Sequence, residues 1–327
     1  MLRNYSHIFI LLGFMIVVVV LMWGFSSGHF MTLENFQSMA YQMPELGLLS
    51  LAMMIVMLTS GINLSIIATA NMSSIVMALI LKMTIPPEST GPGGLWLVVL
   101  AILAGLVISI IIGCINGFLI AVLEISPILA TLGMMILING ISLVLTKGYV
   151  ISGFPLAMRA IGNSDILGIP IPILVFLACA GVMSLILNNT PLGTRIYLLG
   201  SNPTACYFSG VNNRAVLFRT YIISGIYSCA AAVIMISRFN SAKADYGESY
   251  LLLTVLAAVL GGVSAAGGFG KVSGLILSLV ILQMMSSGLN LMGVNTFLTL
   301  TLWGIVLICV MVIKYMIEKY QQKKWIT

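Results

Sequence analysis

The fold class this sequence predicts is an all-α polytopic membrane protein of about ten transmembrane helices in two weakly related halves, with cytoplasmic N- and C-termini. Three observations predict it. Of 327 residues, 60% are hydrophobic and 7% charged, with a mean hydropathy of +1.16. That is more apolar surface than a soluble domain of this size can hide. The apolar residues gather in charge-free stretches near the length that crosses a bilayer. Lys and Arg are spread unevenly over the connections between those stretches.

The first span covers 8–24; the WGFSSGHF that follows has no small-residue cleavage site, so it reads as an uncleaved helix rather than a signal peptide. Residues 46–81 are too long for one span and are interrupted by Thr59-Ser60-Gly61-Ile62-Asn63, which predicts helices at 43–60 and 64–82. GPGG at 91–94 precedes a helix over 95–122. Pro127 suits a first helical turn and opens 127–146, and IPIP at 169–172 precedes 171–188. The second half predicts 219–237, 250–263, 271–289 and 296–314. One transmembrane domain, 1–327, thus divides into a first half (1–189), a polar connector (190–218), a second half (219–314) and a basic tail (315–327). The runs 46–65 and 250–268 both dissolve into small polar residues and glycine before another span, which fits two structural repeats.

An even number of spans puts both ends on one side, and Lys314, Lys319, Lys323 and Lys324 mark that side as cytoplasmic. Arg3, Arg195, Arg214, Arg219 and Lys271 fall there too, against only Glu124 and Glu318. The formal net charge of +6 therefore reports topology and implies no nucleic-acid partner. The cysteines, Cys114, Cys179, Cys206, Cys229 and Cys309, are scattered with no metal-binding spacing and read as small buried hydrophobes. No Ser, His and acid arrangement suggests catalysis, so the chain is expected to be neither an enzyme nor a metalloprotein.

The break at 59–65 is the best candidate for a translocation path, because irregular backbone at membrane depth survives only where it is buried or lines a watery cavity. Asn63 and Ser65 offer neutral hydrogen-bonding groups suited to a polyhydroxylated solute; an ordinary cap between two helices fits equally well. Thr131 and Asn290 are further polar candidates, with interhelical hydrogen bonding the commoner role. Glu45 and Glu124 read as lying at span edges. The scarcity of central ionisable groups argues against ion-coupled transport. Gly61, Gly261, Gly262, Gly267, Gly268 and Gly270 are expected to allow tight turns and close helix packing. They do not form a phosphate-binding P-loop, which would need Gly at 265 and Ser or Thr at 272, where this chain has Ala265 and Val272.

Residues 191–219 form a polar, basic island. Ser201 or Asn202 is a good helix N-cap, Pro203 is favoured at the first helical position, and Gly210 can end a helix in the left-handed region, which predicts a helix over 203–209. That helix is too short to stand alone in water. Cys206, Tyr207 and Phe208 give it apolar content that suits either the lipid surface or a soluble partner.

The segment GSNPTACYFSGV resembles the G-x-N-x-x-A-x-x-S-G-I/V cytoplasmic motif of the ribose-type permeases of bacterial ABC importers. LTSGINLS (58–65), ATLGMM (130–135), GGVSAAGGFGKVSG (261–274) and SSGLNLMGV (286–294) match in the same order, from about residue 32 to 313. Relatives usually carry Asp where this chain has Asn63. The resemblance implies that the short helix couples to an ATPase subunit through Asn202, Ala205, Tyr207, Phe208, Ser209 and Gly210. It also implies a second permease subunit (homodimer or heterodimer), two cytoplasmic ATPase subunits that bind the ATP this chain does not, and a periplasmic or lipid-anchored solute-binding protein. The expected setting is the lipid of the bacterial inner membrane, and the expected cargo a sugar or sugar-like solute moved by alternating access. The competing class is a stand-alone secondary transporter of a small polar solute.

Overall fold

The computed structural model describes residues 2–26, 29–84, 92–295, 297–308 and 312. The expected basic tail, 315–327, lies outside the described residues, as do Cys309 and parts of the expected span 296–314. The chain folds into helices α1 (Leu2–Phe25), α2 (Leu33–Met57), α3 (Ile66–Thr84), α4 (Pro92–Ala121), α5 (Pro127–Thr146), α6 (Leu156–Asn163), α7 (Ile171–Asn189), α8 (Pro191–Ser201), α9 (Pro203–Phe208), α10 (Asn213–Phe239), α11 (Tyr250–Leu260), α12 (Val272–Leu291) and α13 (Phe297–Ile308). Among the described residues, six of these are long and apolar enough to cross a membrane, and Leu11–Gly24, Ile66–Lys82, Tyr250–Leu260 and Phe297–Ile308 are shorter apolar helices. The protein is an all-α, multi-pass membrane protein.

The central element is α2. Its apolar window is 78% buried, against 28% for α4, α5 and α7. Those three turn Leu103, Ile136, Val144 and Leu185 outward, as lipid-facing helices do. Where α4 meets α10, Gly113 and Gly117 let the two backbones approach: a methyl at Gly113 would lie 2.8 Å from the Tyr221 carbonyl oxygen, and one at Gly117 2.9 Å from the Phe218 ring. This is the small-residue contact by which helices associate in lipid. At the end of α10, a two-residue strand β1 (Ile151–Ser152) pairs antiparallel with β4 (Ser241–Ala242). A second ribbon joins β2 (Asp165–Ile166) to β3 (Ile169–Pro170).

Three sequence expectations change. The second helix begins at Leu33, not 43, capped by the Thr32 hydroxyl, which accepts from the Asn35 amide at 3.3 Å. The helix runs through Pro44, and its polar first half packs against α12 instead of forming a loop. Glu45 is therefore not at a span edge; it lies inside α2, fully buried, and pairs with Arg238 at 2.8 Å. The connector holds two helices, α8 and α9, where the sequence predicts one; Gly193 and Gly200 lie within α8 against the main chain of Leu187 and Leu58. The 43–60 and 64–82 spans do break as expected, with α2 ending at Met57 and α3 starting at Ile66.

Candidate functional site

The connector is built from its caps. The Thr190 hydroxyl accepts from the Gly193 amide at 3.3 Å and Pro191 opens α8. The Asn202 carboxamide oxygen accepts from the Ala205 amide at 2.9 Å, so Asn202 rather than Ser201 starts α9, with Pro203 following. Gly210 closes it at φ +78°, a value a Cβ disfavours. The Ser209 hydroxyl donates to the Ala205 carbonyl at 2.9 Å, and the Asn213 amide group donates to the Pro203 carbonyl at 2.9 Å, tying α9 to the start of α10.

Of the α9 side chains, Cys206 turns inward and is buried, while Tyr207 and Phe208 are 68% and 82% exposed. Their rings meet edge to face with centroids 5.8 Å apart. They flank a groove of about 900 Å³ that continues over Ile120, Val211 and Leu217, with the Arg214–Glu124 ion pair (3.0 Å) at its rim. Burying either ring would stabilise a complex by about 1.5–3 kcal/mol. An exposed aromatic pair on a capped helix in a polar connector gives it an apolar patch, suited to the lipid surface or to a soluble partner.

Beneath it, the end of α8 meets both helix breaks. The Gly268 amide donates to the Leu58 carbonyl at 3.0 Å. The Ser60 hydroxyl lies 2.6 Å from the Ala266 carbonyl and 3.2 Å from that of Gly200. The Tyr197 hydroxyl donates to the Gly270 carbonyl at 2.8 Å, and burial raises the pKa of this phenol. Gly200 has no room for a side chain, because a methyl there would overlap the Leu58 carbonyl oxygen and lie 2.5 Å from the Gly268 nitrogen. Gly262, Gly267, Gly268 and Gly270 all take positive φ, Gly261 rests against the α12 backbone at Leu275, and Gly61 faces Tyr221.

The break at 59–65 is legible in the sequence, but Thr59, Asn63 and Ser65 are buried there, while Ser60 is exposed. The Asn63 amide donates to the Ser224 hydroxyl at 3.1 Å, and its oxygen accepts from the Ser65 amide (3.1 Å) and hydroxyl (2.8 Å). Asn116 donates to the Ser65 hydroxyl at 2.8 Å. The Thr131 hydroxyl accepts from the Leu64 amide at 3.1 Å and donates to the Pro127 carbonyl at 2.7 Å. Asn63, Ser65 and Thr131 are thus brought together as a buried hydrogen-bonded seam that stitches α3, α4, α5 and α10.

Asn290 stands apart from them. It lines a polar cleft of about 530 Å³ between α2 and α12, with Asn35, Ser38, Gln42, Ser286 and Ser287. The cleft leads to a smaller cavity of about 90 Å³ that shares Gln42 and Ser286 and adds Arg238, Tyr250, Gln283 and Trp303. Arg238 ends the 27-residue α10 whose first turn carries the connector, so this cavity sits about 40 Å along that helix from α9. Sequence reasoning missed these residues. The available signal was the spacing of Asn35, Ser38, Gln42 and Glu45, which recur every three or four positions and so share one face of α2.

This architecture defines a class: a multi-pass helical protein whose broken spans converge under a structured polar connector. The family described as "Branched-chain amino acid transport system / permease component" matches residues 35–311, and the chain belongs to that family of transport permease components. It is 31% identical to the autoinducer 2 import system permease protein LsrD of Escherichia coli (strain K12) over 288 residues, which cover 86% of this chain and 84% of that protein. The LsrD proteins of Shigella flexneri and of Escherichia coli O157:H7 match at the same identity and coverage. No solved structure matches the chain.

Proposed function

We propose that this chain is the membrane-spanning subunit of a bacterial ABC importer and translocates a sugar or sugar-like solute across the inner membrane. The observation that carries the reading is the exposed Tyr207–Phe208 pair on a short capped helix whose supporting residues, Ser201 and Gly200, touch both helix breaks. ATP is bound and split by a separate ATPase subunit, whose apolar groove takes the two rings. Closure of the ATPase pair displaces α9. The displacement passes through α8 to the Leu58–Ser60 and Ala266–Gly270 turns, and so to the ends of α2, α3, α11 and α12. Two discrete packings of these helices then give alternating access.

In this reading the connector and both termini are cytoplasmic, ten spans cross, and a second permease chain and a solute-binding protein complete the assembly. A sugar-like cargo is supported by the autoinducer 2 importers among the relatives and by the many neutral hydrogen-bonding groups of the α2–α12 cleft. The ion pair Glu45–Arg238 is closed and charge-compensated, which does not favour an ion-coupled alternative.

The test is reconstitution of the chain with its second permease, ATPase and binding protein from the same bacterium, followed by uptake of labelled ribose, galactose and autoinducer 2. ATP-dependent uptake that vanishes without the ATPase supports the proposal. Uphill uptake by the chain alone, driven by an ion gradient, would refute it.

A further inference from the structure

The β2–β3 ribbon carries two costs that contacts among the described residues do not offset. Its two-residue turn is Leu167-Gly168, at φ +55° and +82°. Two positive values in succession make the primed hairpin turn that favours Asn-Gly or Asp-Gly, so a leucine in the first position is strained. Leu167 is also 99% exposed. Ile166 and Ile169 pair directly opposite one another, so their side chains share one face of the ribbon, and both are exposed. The result is a small apolar wedge with a leucine at its tip. The wedge is held firmly: the Asp165 carboxylate accepts from the Gly168 amide at 3.2 Å, and the Ile171 amide donates to the Ser164 carbonyl at 3.0 Å, which closes the base of the ribbon.

We infer that this wedge is an anchor in the bilayer interface, on the membrane face opposite the connector, with Leu167 at the boundary between headgroups and acyl chains. The inference rests on the multi-pass fold and not on the transport reading. Its level in the membrane follows from α7, which starts at Ile171, directly after the ribbon, and ends at Asn189, one residue before α8. The 19 residues of that helix rise about 28 Å, against a hydrocarbon core of about 30 Å. All of α7 is therefore needed to cross, which leaves the ribbon among the headgroups. The outward stripe of α7, Leu174, Leu177 and Leu185, begins within a turn of Ile171, so lipid-facing surface leads directly to the wedge. The same level is marked by α5, whose 20 residues end at Thr146, with exposed Tyr149 and Val150 just beyond. A tyrosine there suits the aromatic belt of a membrane interface. The anchor also bears on α10. Gly162 of α6, the helix leading into the ribbon, rests against the main chain of Ser237 and Arg238, and the Asn163 amide group donates to the Ser237 carbonyl at 2.9 Å. A grip of lipid on the ribbon thus steadies the end of α10 that is remote from the connector.

The test is tryptophan fluorescence of the full-length chain in lipid nanodiscs. Leu167→Trp adds one indole to the 4 of the native chain, and its emission is read as the difference from the parent. The added indole should emit to the blue of a water-exposed one and lose about half its intensity to phospholipids brominated near the top of the acyl chain, while iodide in the buffer quenches it weakly. Quenching by the brominated lipid should be equal in phosphatidylcholine and phosphatidylglycerol, because residues 165–170 include no basic side chain for an anionic surface to attract. Should Leu167→Trp fail to fold, Ile169→Trp carries the same expectation. Strong quenching by iodide with none from the brominated lipid would put the wedge in water and overturn the anchor. Shielding from both quenchers would overturn it in favour of a protein partner, as would shielding that arises only when the solute-binding protein of the same bacterium is added.

Discussion

Replacing Phe208 by Asp separates docking from folding. The ring is 82% exposed and makes its aromatic contact with Tyr207 alone, so the free chain loses little: thermal unfolding in detergent should shift by no more than about 0.5 kcal/mol. In the proposed complex with the ATPase the same ring would be buried, and its removal would forfeit about 1.5–3 kcal/mol, with a further cost for placing a carboxylate in an apolar groove. The burial loss alone corresponds to a fall in ATPase affinity of roughly 10- to 150-fold. The assay is the equilibrium affinity of the ATPase for the permease pair in nanodiscs, with solute-stimulated ATP hydrolysis measured in parallel. Unchanged affinity and stimulation at normal protein level would show that α9 does not seat in the ATPase, and the coupling argument would fail at its first step.

Gly200→Ala should destabilise the chain by about 1–3 kcal/mol in thermal unfolding, because the methyl overlaps main-chain atoms of Leu58 and Gly268 that cannot rotate away. Asn63→Leu should lower stability by about 1–3 kcal/mol, seen as reduced membrane yield, since it removes the acceptor of both the Ser65 amide and the Ser65 hydroxyl; a normal yield with impaired transport would instead place Asn63 on the solute path. Glu45→Gln should cost about 3 kcal/mol of stability by leaving Arg238 without a countercharge, and the double variant Glu45→Gln with Arg238→Met should recover much of it in the same unfolding assay.

What the sequence reveals follows the range of the interaction. Asn202, Pro203 and Gly210 could be placed at the two ends of α9 because capping is a local matter, decided within four residues. The break after Met57 was legible for the same reason, as a polar and glycine cluster inside an apolar run. The start of α2 was not. Leu33 to Met43 is too polar to read as a span, and what makes it helical in place is contact with α12, some 240 positions away in the chain, through Gln42 and Gln283. The orientation of Asn63 was equally hidden, because its partner Ser224 belongs to α10. The small cavity lined by Gln42, Arg238, Tyr250, Gln283 and Trp303 draws on five helices, so only its α2 stripe leaves a pattern in the sequence.

The join between Leu58, Gly200 and Gly268 sets main chain against main chain, with Ser60, at φ +63°, bridging it through its short hydroxyl. Flexible side chains act as cushions; they swing between rotamers and absorb small displacements before anything further off has to respond. Where Gly200 meets Leu58 and Gly268, there is no room for such a cushion. A shove of a fraction of an ångström delivered there is conveyed without slack to both halves of the molecule at once. In the coupled assembly proposed above, the stroke needed from the ATPase is therefore short.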